Sequence, residues 1–214
     1  MPTTTQLVAF VAASFVFIAL PGPSVLFAIG RALTVGRRDA LLSVSGNAIG
    51  LLVQVACVAV GLGALVEASA AAYTVLKLVG AAYVVWLGVQ AIRHRADARL
   101  ALDAPATDRQ GGVLRALWAG FVVGGTNPKT LVFFAAFLPQ FMNDAAPATP
   151  QLLVLGLIFA AMALCQDSVV TLLAAQARTW FSRKPRRLDH LGVAGGIAMI
   201  GLGTGLALEG RVRA

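Results

Sequence analysis

Six apolar runs, at about residues 5–29, 40–66, 69–92, 113–137, 150–176 and 190–208, each carry at most two charged side chains. Each approaches or exceeds the roughly 20 residues that a helix needs to cross a hydrocarbon core. Inside a bilayer every backbone N–H and C=O must be satisfied by the chain itself, so only helices and closed barrels span it. Runs of this length are far too long for barrel strands of about 10 residues. The sequence therefore predicts an all-α integral membrane protein with six transmembrane helices. Composition agrees, with 58% hydrophobic and 12% charged residues and a mean hydropathy of +0.82. The first run has no basic leader and is longer than the apolar stretch of a secretory signal, so it reads as a retained span.

Two proline motifs interrupt these runs, Pro21-Gly22-Pro23 in the first and Asn127-Pro128-Lys129 in the fourth. A proline inside a helix removes a backbone hydrogen bond and clashes with the carbonyl one turn back. Each motif should break its helix, and in a membrane the freed groups are tolerated only against protein or a water-filled cavity. Broken helices at matching positions of two half-chains point to a transporter site near the bilayer midplane.

Charge placement sets the expected orientation. Thirteen of the seventeen basic residues crowd three alternate connections: Arg31, Arg37 and Arg38 in the first; Arg93, Arg95, Arg99, Arg109 and Arg115 in or beside the third; Arg178, Arg183, Lys184, Arg186 and Arg187 in the fifth. Positively charged loops stay in the cytoplasm, which puts both termini outside it, in the periplasm if the envelope has two membranes. The net charge of +8 follows from this asymmetry rather than from nucleic-acid binding. Lys77 lies within the third run, toward its outer end, where a long side chain can snorkel to the interface. The chain reads as a single transmembrane unit, with one repeat at 1–92, a cytoplasmic linker at 93–112 and a second repeat at 113–214. Three spans per half is an odd number, so the second half runs inverted relative to the first.

The motifs and their order resemble the LysE/RhtB family of bacterial amino-acid exporters. The resemblance rests on Pro21-Gly22-Pro23, on Gly36-Arg37-Arg38 leading into a span with Gly46 and Gly50, and on Leu76-Lys77 followed by Gly80-Ala81-Ala82-Tyr83 and Gly88. Asn127-Pro128-Lys129 completes it. It implies a six-helix carrier that moves amino acids or close derivatives out of the cytoplasm by proton antiport. No cofactor is implied, the partners are a small-molecule amino-acid substrate, protons and the lipid bilayer, and a homodimer is compatible with the glycine-rich faces.

Candidate site residues follow from polarity inside the spans. Asp167 is the only acid deep in a run; a charge there costs about 2.5–3.5 kcal/mol on insertion scales and marks a cavity or a partner. It is the candidate proton-coupling carboxylate, or an anchor for a substrate ammonium. Lys129 is the matching cation, which either pairs with Asp167, receives a substrate carboxylate, or satisfies carbonyls freed by Pro128. Ser43, Asn47, Gly50 and Gln54 share one helical face, as do Asp167 and Thr171, with Gln166 beside them. Asn47, Gln54, Gln166 and Thr171 are candidates to line a substrate path; close helix packing is the competing reading. A half-helix N-terminus offers N–H groups to a carboxylate and a C-terminus offers carbonyls to an ammonium. Pro21, Gly22, Pro23, Ser24, Asn127 and Pro128 supply such ends, with Ser24 or Asn127 able to cap.

Enzyme chemistry finds little footing. His94 and His190 lack a Cys or acid cluster at metal spacing, so no metal site is expected. Cys57 and Cys165, in counterpart spans, admit a transmembrane thiol-disulfide electron carrier, but neither belongs to a CxxC motif, and buried free thiols are the ordinary reading. A channel or a structural membrane subunit is the remaining alternative.

Overall fold

The computed structural model describes residues 1–68, 70–96, 112–143, 145–177, 180, 183–184 and 186–209, with side chains described except at 62–68, 70–73, 76–77, 206 and 209. Most of the expected linker and the Lys77 side chain therefore lie outside the described residues. Among these residues the chain forms eight α-helices: α1 (Thr4–Ala19), α2 (Pro23–Thr34), α3 (Arg37–Ala68), α4 (Ala70–Arg93), α5 (Val113–Gly125), α6 (Pro128–Ala136), α7 (Ala148–Gln176) and α8 (Arg186–Glu209). A 3-10 turn at Leu138–Phe141 follows α6.

Two helices are long and apolar enough to cross a bilayer, α3 over Arg37–Gly61 and α7, and α1 with α2, bent by 51° at the break between them, has the length and composition of a third if the pair is one span. Helix α1 stops at Ala19, and α2 restarts at Pro23 with Gly22 as its N-cap. Helix α6 likewise restarts at Pro128 behind Asn127. Proline at the first helical position loses nothing, because its missing N–H would have had no partner there.

One boundary differs from the sequence reading. The first apolar run ends near residue 29, which assigns Arg31 to a loop, yet α2 continues through Arg31 to Thr34. Hydropathy falls where a charge occurs, but arginine is a good helix former and suits the carbonyl end of a helix. The chain then turns at Gly36, whose φ of 95° is a left-handed conformation that glycine adopts without strain.

Glycines set the packing. A Cβ on Gly120 would collide with the Ser43 carbonyl, and one on Gly124 with the Asn47 carbonyl, so α5 lies backbone to backbone on α3. Helices α4 and α8 meet the same way through Gly88 and Gly196. Small residues permit such approach where no hydrophobic drive operates between helices.

Two apolar clusters bracket a polar layer. Phe10, Phe17, Leu51, Phe133, Phe134 and Phe159 belong to one cluster, joined by the Phe17–Phe133 stack at 4.1 Å. Val25, Ile29, Leu33, Ala174 and Leu188 belong to the other. Along α3, Ala40 falls in the second cluster and Leu51 in the first, with Asn47 between them. Along α7, Ala163 and Ala174 flank Asp167 and Thr171 in the same manner.

Candidate functional site

The two helix breaks meet in this polar layer. Asn127 caps α6 by accepting from the Lys129 backbone N–H at 3.0 Å, and its Nδ2 donates to Ser24 Oγ at 2.7 Å. Ser24 Oγ donates to Asn47 Oδ1 at 3.1 Å, and Asn47 Nδ2 reaches Asp167 Oδ2 at a long 3.4 Å. Every donor in this relay points toward the Asp167 carboxylate, an arrangement in which successive bonds polarise one another. Ser24 is therefore a link in the relay, not the cap of its own helix. Asn47, Asn127, Lys129 and Asp167 are all buried.

Lys129 is held by the other broken helix. Its ammonium donates to the carbonyls of Phe17 at 2.8 Å and Leu20 at 2.7 Å, the unpaired acceptors at the end of α1. It also sits 4.4 Å from the centre of the Phe17 ring, an attractive placement for a cation. Among the described residues it forms no ion pair with Asp167, although each lies within the other's field. The carbonyls it satisfies are thus those freed by the break at Pro21-Gly22-Pro23, not by Pro128.

Gln54 closes the second break. Its Nε2 donates to the carbonyls of Asn127 at 3.1 Å and Gly125 at 3.4 Å, and its Oε1 accepts from Thr130 Oγ1 at 2.7 Å. Thr130 was not legible as a site residue, although its position three residues after a capping Asn places it on the first turn of α6. Thr171 is buried, one turn beyond Asp167. Its hydroxyl and Asp167 Oδ1 are buried without a hydrogen-bond partner among the described residues, so both retain capacity for a ligand or a proton. Gln166 is only half-buried, beside the cluster rather than in it. Cys57 and Cys165 are free and exposed, where buried thiols were expected; the surface of a bilayer helix accepts an apolar thiol as readily as its core.

Two cavities adjoin this cluster. The inner one is about 30 Å³ and is lined by Ser24, Asn47, Asn127, Lys129, Thr130 and Asp167 among others, too small for an amino acid. The outer one, about 590 Å³, lies between α2, α4 and α8 and includes Pro21, Gly22 and Pro23 in its wall. Gly22 alone lines both. A Cβ there would sit 2.7 Å from Lys129 Cδ, so the wall that the two cavities share leaves no room for a side chain at this position.

An all-helical bundle with apolar spans and a buried polar cluster at two helix restarts is a multi-pass membrane protein. The chain belongs to the LysE family: the family model described as LysE type translocator matches residues 15–210. It is 35% identical over 203 residues to a membrane protein of Vibrio cholerae, covering 93% of this chain and 95% of that one. It is 32% identical to the homoserine/homoserine lactone efflux protein of Salmonella typhimurium, covering 87% and 88%. The threonine efflux protein of Escherichia coli is 27% identical, covering 83% and 85%. No solved structure matches the chain.

Proposed function

We propose that this protein is a secondary carrier that exports amino acids or close derivatives across a bacterial inner membrane, exchanging them for protons. The observation that carries the reading is the relay from the α6 N-terminus through Asn127, Ser24 and Asn47 to Asp167. It links both helix breaks to the one buried acid among the described residues, so a change at either break is felt at the carboxylate. Asp167 Oδ1 and the Thr171 hydroxyl remain open to a proton or a substrate ammonium, and the restart of α6 offers N–H groups to a carboxylate. Relatives named for efflux of homoserine and of threonine support the substrate class.

In this reading the chain crosses the bilayer six times as two inverted repeats, α1–α4 and α5–α8. The broken pairs α1/α2 and α5/α6 are counterparts, as are α3 and α7. Loops one, three and five face the cytoplasm, with both termini outside. Alternating access comes from rocking one repeat against the other around a fixed site.

Bacterial cells expressing the protein and loaded with single amino acids test the function directly. Faster release of at least one amino acid than from cells without the protein is the expected result. No release above that control for any amino acid, with the protein present in the membrane, overturns the exporter reading.

A further inference from the structure

The 590 Å³ cavity takes no part in the relay and has a chemistry of its own. Its size falls within the range of small-molecule sites, about 300–1,000 Å³. Leu26, Phe27, Leu87 and Met199 contribute apolar walls, while Arg31 and Arg95 contribute the charges, and among the described residues no acidic one lines it. A site with cations and no carboxylate favours an anion and offers nothing specific to an ammonium.

Arg31 is the better placed of the two cations. Its Nε donates to Ser43 Oγ at 3.1 Å, and that hydroxyl donates onward to the Asp39 carbonyl at 2.9 Å. One edge of the guanidinium is thereby fixed, and its terminal nitrogens have no partner among the described residues. A fork held in this way matches a carboxylate, which it can engage with two parallel bonds. Asp39 and Arg115 both act on Arg31 at longer range, with opposite signs, so their effects on it partly offset each other. Arg95 is exposed and its Nη1 already donates to the Ile92 carbonyl at 3.1 Å, which makes it a rim residue.

We propose that this cavity is a vestibule site for small amphipathic carboxylates, with Arg31 holding the carboxylate and Leu26, Phe27, Leu87 and Met199 holding the apolar body. The inference rests on the exporter reading, since the ligand is then the cargo on its way to the relay. The two compartments divide the recognition of a zwitterion: the carboxylate is read at Arg31 first, and the ammonium only beyond Gly22, where Asp167 stands. Occupancy of the vestibule depends on the carboxylate and tolerates a blocked amine.

The test uses the full-length protein carrying Cys57→Ser, Cys165→Ser and Leu87→Cys, labelled with an anionic or a cationic methanethiosulfonate of similar size. A cleft with one sign of charge raises the local concentration of counter-ions by about tenfold or more. With each rate divided by that of the same reagent with a free small thiol, the sulfonate reagent is therefore expected to react about tenfold faster than the trimethylammonium reagent. Arg31→Gln abolishes that preference and Arg31→Lys retains it, which separates lost charge from a damaged fold. Leucine and N-acetylleucine slow the labelling to similar extents, and leucinamide does not.

Equal normalised rates for the two reagents, a preference that survives Arg31→Gln, or protection by leucinamide equal to that by leucine overturns the proposal. Absence of protection by leucine and N-acetylleucine does so as well. A thiol that reacts with neither reagent, in protein that retains phospholipid, assigns the cavity to lipid instead. The labelling ratio reads the vestibule without any transport, so it stands or falls apart from the efflux assay.

Discussion

Asn127 Nδ2 donates to Ser24 Oγ at 2.7 Å across 103 positions of sequence. Each residue belongs to the first turn or the cap of a half-helix that restarts after a proline break. The bond therefore ties the two restarts directly to each other, and through Asn47 it ties both to Asp167. Neither break can shift without stretching this bond.

Removing the two partners should have different consequences. Asn127 is also a helix cap, and replacing a cap by alanine costs about 0.5–2 kcal/mol, so Asn127→Ala should lower both folded yield and export. Ser24→Ala removes the relay link but no cap, and should lower export with near-normal yield. Their effects on export should be non-additive, because the residues share one bond. Additive effects in a double-mutant cycle would show that the bond carries no function.

Lys129→Met should lower stability by about 2–4 kcal/mol, because two buried carbonyls lose a charged donor. Thermal unfolding in detergent measures this. The partner is the decisive point: an ion pair with Asp167 would let Asp167→Asn rescue Lys129→Met, whereas docking on Phe17 and Leu20 predicts no rescue. The hydrogen bonds favour the second outcome.

Gly22→Ala should depress export by an order of magnitude or more while Gly61→Ala leaves it unchanged. A methyl at Gly22 would press on Lys129 Cδ at 2.7 Å, whereas one at Gly61 would meet nothing within 4 Å. Both substitutions remove the same backbone freedom, so that loss alone would affect both. Equal export by the two variants would show that the partition between the cavities is not tight enough to matter.

Much of this layout was legible in the sequence because bilayer constraints are strong and local. The proline motifs place half-helix starts near Ser24 and Lys129, beside the observed starts of α2 at Pro23 and α6 at Pro128. Apolar length puts the start of α7 at about residue 150, two residues from Ala148. Periodicity also placed Ser43, Asn47 and Gln54 on one face, and all three are buried. What stayed hidden depends on contacts between distant segments. Nothing local to Lys129 reveals that its ammonium ends on α1 carbonyls. Arg31 looked like a loop residue because hydropathy falls there, although the helix continues past it. Gln54 looked like a path-lining residue, yet its hydrogen bonds are spent on the carbonyls of the second break.

Gly120→Val should reduce folded protein severalfold, since its side chain would drive into the Ser43 carbonyl and push α5 from α3. Overpacking a tight contact costs about 1–3 kcal/mol even when the surroundings adjust. Gly61→Val is the control, because a Cβ at Gly61 meets nothing within 4 Å. Fluorescence-detected size exclusion of tagged variants provides the measure, and a monodisperse Gly120→Val at wild-type yield would contradict the backbone contact.

Asp167→Asn tests the coupling step itself. The side chain is 3% exposed, with Oδ1 unpartnered and Oδ2 in contact with Asn47, so it can gain and lose a proton without dismantling a salt bridge. Asparagine keeps the shape and mimics the protonated acid, which removes the proton cycle but leaves the cavity. In proteoliposomes with an imposed pH gradient, a proton exchanged for each substrate should drive uphill transport in the wild type. The variant should lose uphill transport at least about tenfold while retaining substrate-for-substrate counterflow, because exchange requires alternating access and no net proton movement. If Asp167 held only the fold, folded yield and counterflow would fall together. Uphill transport by Asp167→Asn that follows the gradient as the wild type does would remove this carboxylate from the coupling step.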